Sequence, residues 1–265
     1  MCGIWGFFGK PTDIKRTTTL IKSLAVESQV RGTDSTGFFA ENEENSFLMK
    51  SVQSPGRFIK NKEIDKAIQE GCYAFLGHNR LASCGKVINA NAHPFCGEKY
   101  ALIHNGHISQ KNLLASKYRI NKMEGDTDSE TLLRALEKVS YLKTVLSQIT
   151  GYSIVLFNRN KNKLIFARDS RYPMIIANLP QLGIRVFCST PEILEKALVP
   201  LRLKEDVEYF STLPFNIYEG DPETKEVTRT IRYNGPVAQI VPQAKARIIN
   251  SNDTNYFMKR YGFTF

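Results

Sequence analysis

The sequence predicts an α+β fold of antiparallel sheets with helices on their outer faces. Three observations carry this. Short strand-like runs come in hairpin pairs, the clearest being Ser153–Phe157 and Leu164–Ala167 around the polar stretch Asn158–Lys163. Helical periodicity comes in separate blocks rather than after each strand. A doubly wound parallel sheet needs regular alternation of strand and helix, so that architecture is disfavoured.

Taken in order, Gly3–Phe8 is an apolar run that reads as a strand. Thr17–Val30 places Leu20, Ile21, Leu24 and Ala25 at helical spacing. Phe38–Ala40 and Ser46–Lys50 read as strands around the turn Glu41–Asn45, and Ile64–Glu70 as a short helix. Tyr73–Leu81 and Tyr100–His104 are strands, and Asn105-Gly106 then reads as a turn dipeptide supplying a positive φ. Thr127 caps the next helix, with Glu130 three residues on completing a capping box. Its apolar stripe is Leu132, Leu133, Leu136 and Val139. Met174–Ala177 and Arg185–Cys188 follow as strands, then the helix Pro191–Leu198, with Pro191 suited to a first turn. Further strands are expected at Val207–Phe210, Phe215–Tyr218 and Val227–Ile231. From about Asn234 the periodicity fades, which predicts an extended or partly ordered tail.

A chain of 265 residues fits one large domain, or one domain with an appendage, and can bury a sizeable core. No run of 18 apolar residues occurs and the N-terminus lacks a signal-peptide pattern, so a cytoplasmic location without membrane contact is expected. The five cysteines are odd in number and irregularly spaced, which argues for reduced thiols rather than a disulfide framework. A net charge of +10 permits an acidic or nucleic-acid partner, but no basic cluster with interleaved aromatics supports one.

Chemistry enters at Met1-Cys2-Gly3. Removal of Met1, expected before a small residue, leaves Cys2 with a free α-amino group. A thiolate is a nucleophile, and an α-amino group of pKa about 7.7–8.0 can serve as its base and then as an acid. Gly3 and Gly6 allow close approach of backbone and substrate. Five polar motifs follow in order: Arg31–Gly37, Gly77–Ser83, Asn91–Phe95, His104–Gly106 and Gly125–Glu130. All four histidines fall within 30 residues, but no CxxC or HxxxH pair accompanies them, so no metal site is expected. His78 and His104 read as buried supports, and Cys72 and Cys188 as core thiols.

Together and in this order the motifs resemble the class II glutamine amidotransferases, members of the N-terminal-nucleophile hydrolases. The likeness runs from Cys2 to about Ala177 and is greatest to the glutaminase domain of glucosamine-6-phosphate synthase. It implies a four-layer αββα sandwich with two antiparallel sheets, spanning residues 2–235, and a C-terminal extension at 236–265. It also implies that Cys2 attacks the side-chain amide of L-glutamine, releases ammonia and forms a thioester that water cleaves to glutamate. Arg80 then matches the arginine that pairs with the substrate α-carboxylate, for which a planar guanidinium is suited. Asp128 matches the carboxylate that binds the substrate ammonium. Asn105 and the Gly106 N–H match the oxyanion hole. Ser83 falls near the substrate, Arg31 beside the nucleophile, and His93 in a position to orient its loop. No cofactor is implied.

Leu81 stands where the sugar-phosphate branch commonly has tryptophan, and Cys84 where it often has histidine. The residues after the matched region hold no glycine-rich phosphate loop. A separate synthase partner receiving the ammonia is therefore expected, with the basic, aromatic tail around Tyr256, Phe257, Tyr261, Phe263 and Phe265 as its docking segment. Two other readings stay open: an amidase for another γ-glutamyl amide, and a catalytically idle binding or regulatory module.

Overall fold

The computed structural model describes residues 1–203, 206–235 and 247–249. Its first half runs β1 (Gly3–Phe8), α1 (Ile14–Glu27), β2 (Ser35–Glu41), β3 (Ser46–Ser51), α2 (Pro55–Phe58), α3 (Glu63–Gln69), β4 (Ala74–Arg80), β5 (Phe95–Cys96), β6 (Tyr100–Gly106), α4 (Lys111–Lys117) and α5 (Asp128–Glu137). There follow α6 (Lys143–Leu146), β7 (Tyr152–Asn158), β8 (Lys163–Arg168), β9 (Ile175–Leu179), β10 (Ile184–Cys188), α7 (Pro191–Leu198), β11 (Val207–Ser211), β12 (Asn216–Gly220), β13 (Val227–Arg232) and β14 (Arg247–Ile249). No helix among the described residues is long and apolar enough to cross a membrane.

The strands form two antiparallel sheets. One has the order β14-β11-β9-β10-β1-β4-β2-β3, the other β13-β12-β8-β7-β6-β5. Strand periodicity sorts side chains to opposite faces. Trp5 and Phe7 of β1 pack with Leu20 and Leu24 of α1 and Leu194 of α7. Ile4 and Phe8 point the other way, into a layer shared with Ile103, Phe157 and Phe166 of the second sheet. The far face of the second sheet, with Leu102, Ile154 and Leu156, is covered by Leu114 of α4 and Leu132 and Leu136 of α5. The result is a helix–sheet–sheet–helix sandwich with β1 and β6 facing each other across its middle.

Several boundaries depart from expectation. Helix α1 starts three residues early because the Asp13 side chain accepts the Arg16 N–H and caps it. It ends at Glu27, and Ser28–Arg31 continues as a 3-10 turn. Asn105-Gly106 is not a turn: both residues belong to β6, opposite Ser153 and Tyr152 of β7. The expected positive φ is present at Gly106, at 144°. It serves close packing, since a Cβ there would strike the Gly151 carbonyl. The capping box is half formed. Thr127 accepts the Glu130 N–H, but the Glu130 carboxylate turns to the N–H groups of Glu124 and Gly125, each at 2.8 Å. Strand β12 begins one residue late, after Phe215, whose φ is positive. Strand β5 and helix α4 were not expected, being too short or too polar to write a period into the sequence. In the tail, β14 pairs with β11; the expected docking residues Tyr256–Phe265 lie outside the described residues.

Candidate active site

The fold brings the first residues of the chain to the open ends of β4 and β6. Gly3 pairs with Asn79 in the β1–β4 ladder, which sets Cys2 beside the residues leaving β4. The half-buried Cys2 Sγ accepts the Leu81 N–H at 3.3 Å and lies 3.4 Å from the Leu81 carbonyl. Arg31 Nε donates to the Cys2 carbonyl at 2.7 Å. Burial pushes the Cys2 thiol up from its ordinary value. The Leu81 N–H, the chain's terminal positive charge, Arg80 and Arg31 all pull it back down.

The motif at 31–37 shapes this corner. Gly32 packs so tightly on the Arg80–Leu81 peptide that any side chain there would collide with it. The Asp34 N–H donates to the Arg80 carbonyl, and the Asp34 carboxylate accepts the Ala82 N–H at 2.7 Å. The backbone contact of Cys2 at Leu81 is thus clamped from the side of Arg31.

Arg80 is buried, and its guanidinium donates to the carbonyls of its own following loop, at Lys86 (3.0 Å) and Cys84. That loop is tied down in turn. Asn91 Nδ2 donates to the Lys86 carbonyl at 2.9 Å and to Asp126 Oδ1 at 2.6 Å, while Asn91 Oδ1 accepts the Asp126 N–H. Two motifs far apart in sequence therefore meet through one amide. Ser83 is exposed on the same loop. Asp128 opens α5 with a buried carboxylate that accepts the Ile108 N–H at 2.7 Å and the Ser129 N–H at 3.1 Å. The position at a helix N-terminus favours its negative charge.

The histidines lie behind these groups. His78 Nε2 donates to the His104 carbonyl at 2.9 Å, so its proton resides there. His104 Nε2 faces the Gly151 carbonyl at 3.3 Å, and its Nδ1 takes the Ser129 hydroxyl at 2.8 Å. His93 is buried with its ring 4.0 Å from that of His78. Burial lowers the pKa of all three, His78 to about 3, so they are neutral. The loop carrying His93 is pinned by Lys50, whose ammonium donates to the Ala92 carbonyl at 3.1 Å and lies 5.1 Å from the Phe95 ring centre.

Asn105 is buried at the end of β6, and its Nδ2 donates to Ser189 Oγ at 2.9 Å. Ser189 is a site residue that the motifs do not reveal. It follows β10 in an apolar run, and its only sequence signal is a hydroxyl next to the Thr190-Pro191 helix start. The groups Cys2, Arg31, Arg80, Asn105, Gly106 and Asp128 all stand at one end of the sandwich, where the ends of β1, β4 and β6 and the start of α5 meet. Such an arrangement brings a thiol, amide donors, a guanidinium and a carboxylate to one place. No group of three or more metal-binding side chains occurs among the described residues.

Residues 78–196 match a family model described as a glutamine amidotransferase domain. The glutamine–fructose-6-phosphate aminotransferase (isomerizing) of Bacillus subtilis strain 168 is 29% identical over 188 residues, which covers 66% of this chain and 30% of that protein. The protein of the same name from Shouchella clausii is 26% identical over 250 residues, covering 86% of this chain and 40% of its own length. The chain therefore spans 30–40% of the length of these curated relatives. Among solved structures, the glutamine phosphoribosylpyrophosphate amidotransferase of B. subtilis superposes with a TM-score of 0.68 at 19% identity, over 86% of this chain and 49% of that one. A glutamine aminotransferase class-II domain protein from Silicibacter pomeroyi gives 0.51 at 14% identity, over 86% and 98%. At these identities the two structures establish a shared fold.

Proposed function

From the premise that the chain carries a class II glutamine amidotransferase domain with the N-terminal-nucleophile hydrolase fold, we propose that it hydrolyses L-glutamine at Cys2 and delivers the ammonia to a separate synthase partner. Met1 is removed, and the α-amino group so exposed takes the thiol proton. The thiolate attacks the glutamine side-chain carbon. Negative charge gathers on the amide oxygen, where Asn105 Nδ2 and the Gly106 N–H receive it. The ammonium form of the α-amino group protonates the departing nitrogen, ammonia leaves, and a glutamyl thioester remains on Cys2. Water then cleaves the thioester to glutamate and restores the thiol. Arg80 receives the substrate α-carboxylate and Asp128 its ammonium, and Ser83, Arg31 and His93 line or support the site.

The observation that supports this reading most is the Cys2 thiol held against the Leu81 N–H, between Arg31 and Arg80. A thiol meant only for packing gains nothing from a backbone donor and two cations. Glutamate release from L-glutamine, read together with an intact mass, tests it. The expected outcome is a mass lacking Met1 and steady release that Cys2→Ala abolishes. A chain that has lost Met1 and releases no glutamate, with or without candidate synthases, overturns the hydrolase reading in favour of an idle module. Equal rates on other γ-glutamyl amides would instead move the substrate assignment.

A further inference from the structure

Ser189 is the first residue beyond β10, and it sits fully buried opposite Ile4 of β1. Its backbone N–H donates to the Ile4 carbonyl at 3.1 Å. In a regular antiparallel pair its own carbonyl would take the Ile4 N–H in return. Here the side chain does so instead: Ile4 N–H donates to Ser189 Oγ at 2.9 Å. The strand is ending at this point, and the chain turns through Thr190 into α7. The hydroxyl proton is directed at the Ile4 carbonyl, 3.4 Å away. One lone pair of Oγ is then left to accept, and Asn105 Nδ2 donates to it at 2.9 Å.

We infer that Ser189 is a positioning residue that fixes the side-chain amide of Asn105 relative to the strand bearing the nucleophile. With its proton committed to Ile4, Ser189 Oγ presents an acceptor to Asn105, and an acceptor selects the nitrogen end of the amide over the oxygen end. An amide nitrogen carries two hydrogens. One is used by Ser189 and the other remains for the oxygen of a bound substrate. Ile4 is two residues from Cys2, so a single hydroxyl ties the oxyanion donor and the nucleophile to the same stretch of β1. The catalytic pair comes from different sheets, β1 in one and β6 in the other, and Ser189 bridges them. This inference rests on the proposed glutamine hydrolysis and on the oxyanion role of Asn105.

A double-mutant cycle tests it, with Ser189→Ala, Asn105→Ala and the double variant assayed for kcat and KM on L-glutamine, and with Cys2 alkylation by iodoacetamide as a second readout. Ser189→Ala is expected to lower kcat about 10- to 100-fold with KM little changed, because a misplaced donor fails mainly in the transition state. In the Asn105→Ala background the same substitution is expected to change kcat less than about twofold, since the group it positions is gone. Iodoacetamide, which needs no oxyanion donor, is expected to react with Cys2 at an unaltered rate. If Ser189→Ala multiplies fully with Asn105→Ala, or if it slows alkylation as much as turnover, Ser189 supports β1 generally and the inference is wrong. Should Ser189→Ala fail to fold, Ser189→Cys, somewhat larger and with only a weak acceptor, is read by the same cycle. A wild-type protein without glutaminase activity would defeat the underlying reading, whereas an active one whose Asn105→Ala variant is also fully active would defeat the oxyanion assignment, so the failures are separable.

Discussion

At Cys2 two effects compete. Burial raises the thiol pKa, and the Leu81 N–H, the terminal charge, Arg80 and Arg31 lower it, with burial the larger. The resting state at neutral pH is therefore the thiol, and a thiolate arises when a base removes its proton. Arg31 contributes on the lowering side while its Nε holds the Cys2 carbonyl. Arg31→Ala is accordingly expected to move the pH midpoint of Cys2 alkylation upward, and Arg31→Lys to restore much of it. A rate-against-pH series with iodoacetamide measures this, and a downward shift would contradict the electrostatic account. At this scale much of the candidate site was legible in the sequence. Cys2 follows Met1, and Arg80, Asp128 and the Asn105-Gly106 pair belong to short polar motifs whose order carries the family resemblance. Ser189 was not legible, because its role comes from β10 ending where the Ile4 N–H needs a partner.

At the scale of elements, the loop after β4 and the entry to α5 act as one unit joined by Asn91. Its amide contacts the Lys86 carbonyl, Asp126 Oδ1 and the Asp126 N–H. The Glu130 carboxylate fixes the same entry through the N–H groups of Glu124 and Gly125. Asn91→Ala is expected to raise KM for glutamine about 3- to 10-fold with kcat nearly constant, the equivalent of about 1 kcal/mol of lost hydrogen bonding in binding. Steady-state kinetics check it, and a fall in kcat alone would show that the loop serves the chemical step instead. The apolar elements, β1, β4, β7, β8 and α7, were readable from period and punctuation. Strand β5 has two residues and α4 only one buried apolar residue, Leu114, so neither writes a period into the sequence. The Asn105-Gly106 pair misled because a polar residue followed by glycine favours turns, whereas here a buried hydroxyl accepts from the asparagine Nδ2 and Gly151 needs the glycine.

Across the whole molecule, folding buries titratable groups and keeps them neutral. His78, His93 and His104 sit below their ordinary value of 6.5, His78 at about 3. An unfolded chain binds protons at about 6.5 and the folded one does so only lower. Stability from this source is thus complete above about pH 6.5 and is lost as the pH falls toward about 3. At the other end, burial raises Cys188 to about 12 and Cys96 to about 11 from 9.0, so stability is complete below about 9 and is lost as the pH rises through those values. A plateau of Tm between about pH 6.5 and 9, falling on both sides, is expected in a thermal melt series. A Tm unchanged down to pH 4 would mean the histidines are already solvated in the native state. The fold also places its single tryptophan where it can be watched. Trp5 is fully buried against Phe75, and its indole N–H donates to Asn79, the neighbour of Arg80. Its emission is a built-in optical reporter with one origin. Filling of the adjacent site should alter its intensity at constant wavelength, and unfolding should move its wavelength to the red, so occupancy and integrity can be recorded in the same cuvette without a label.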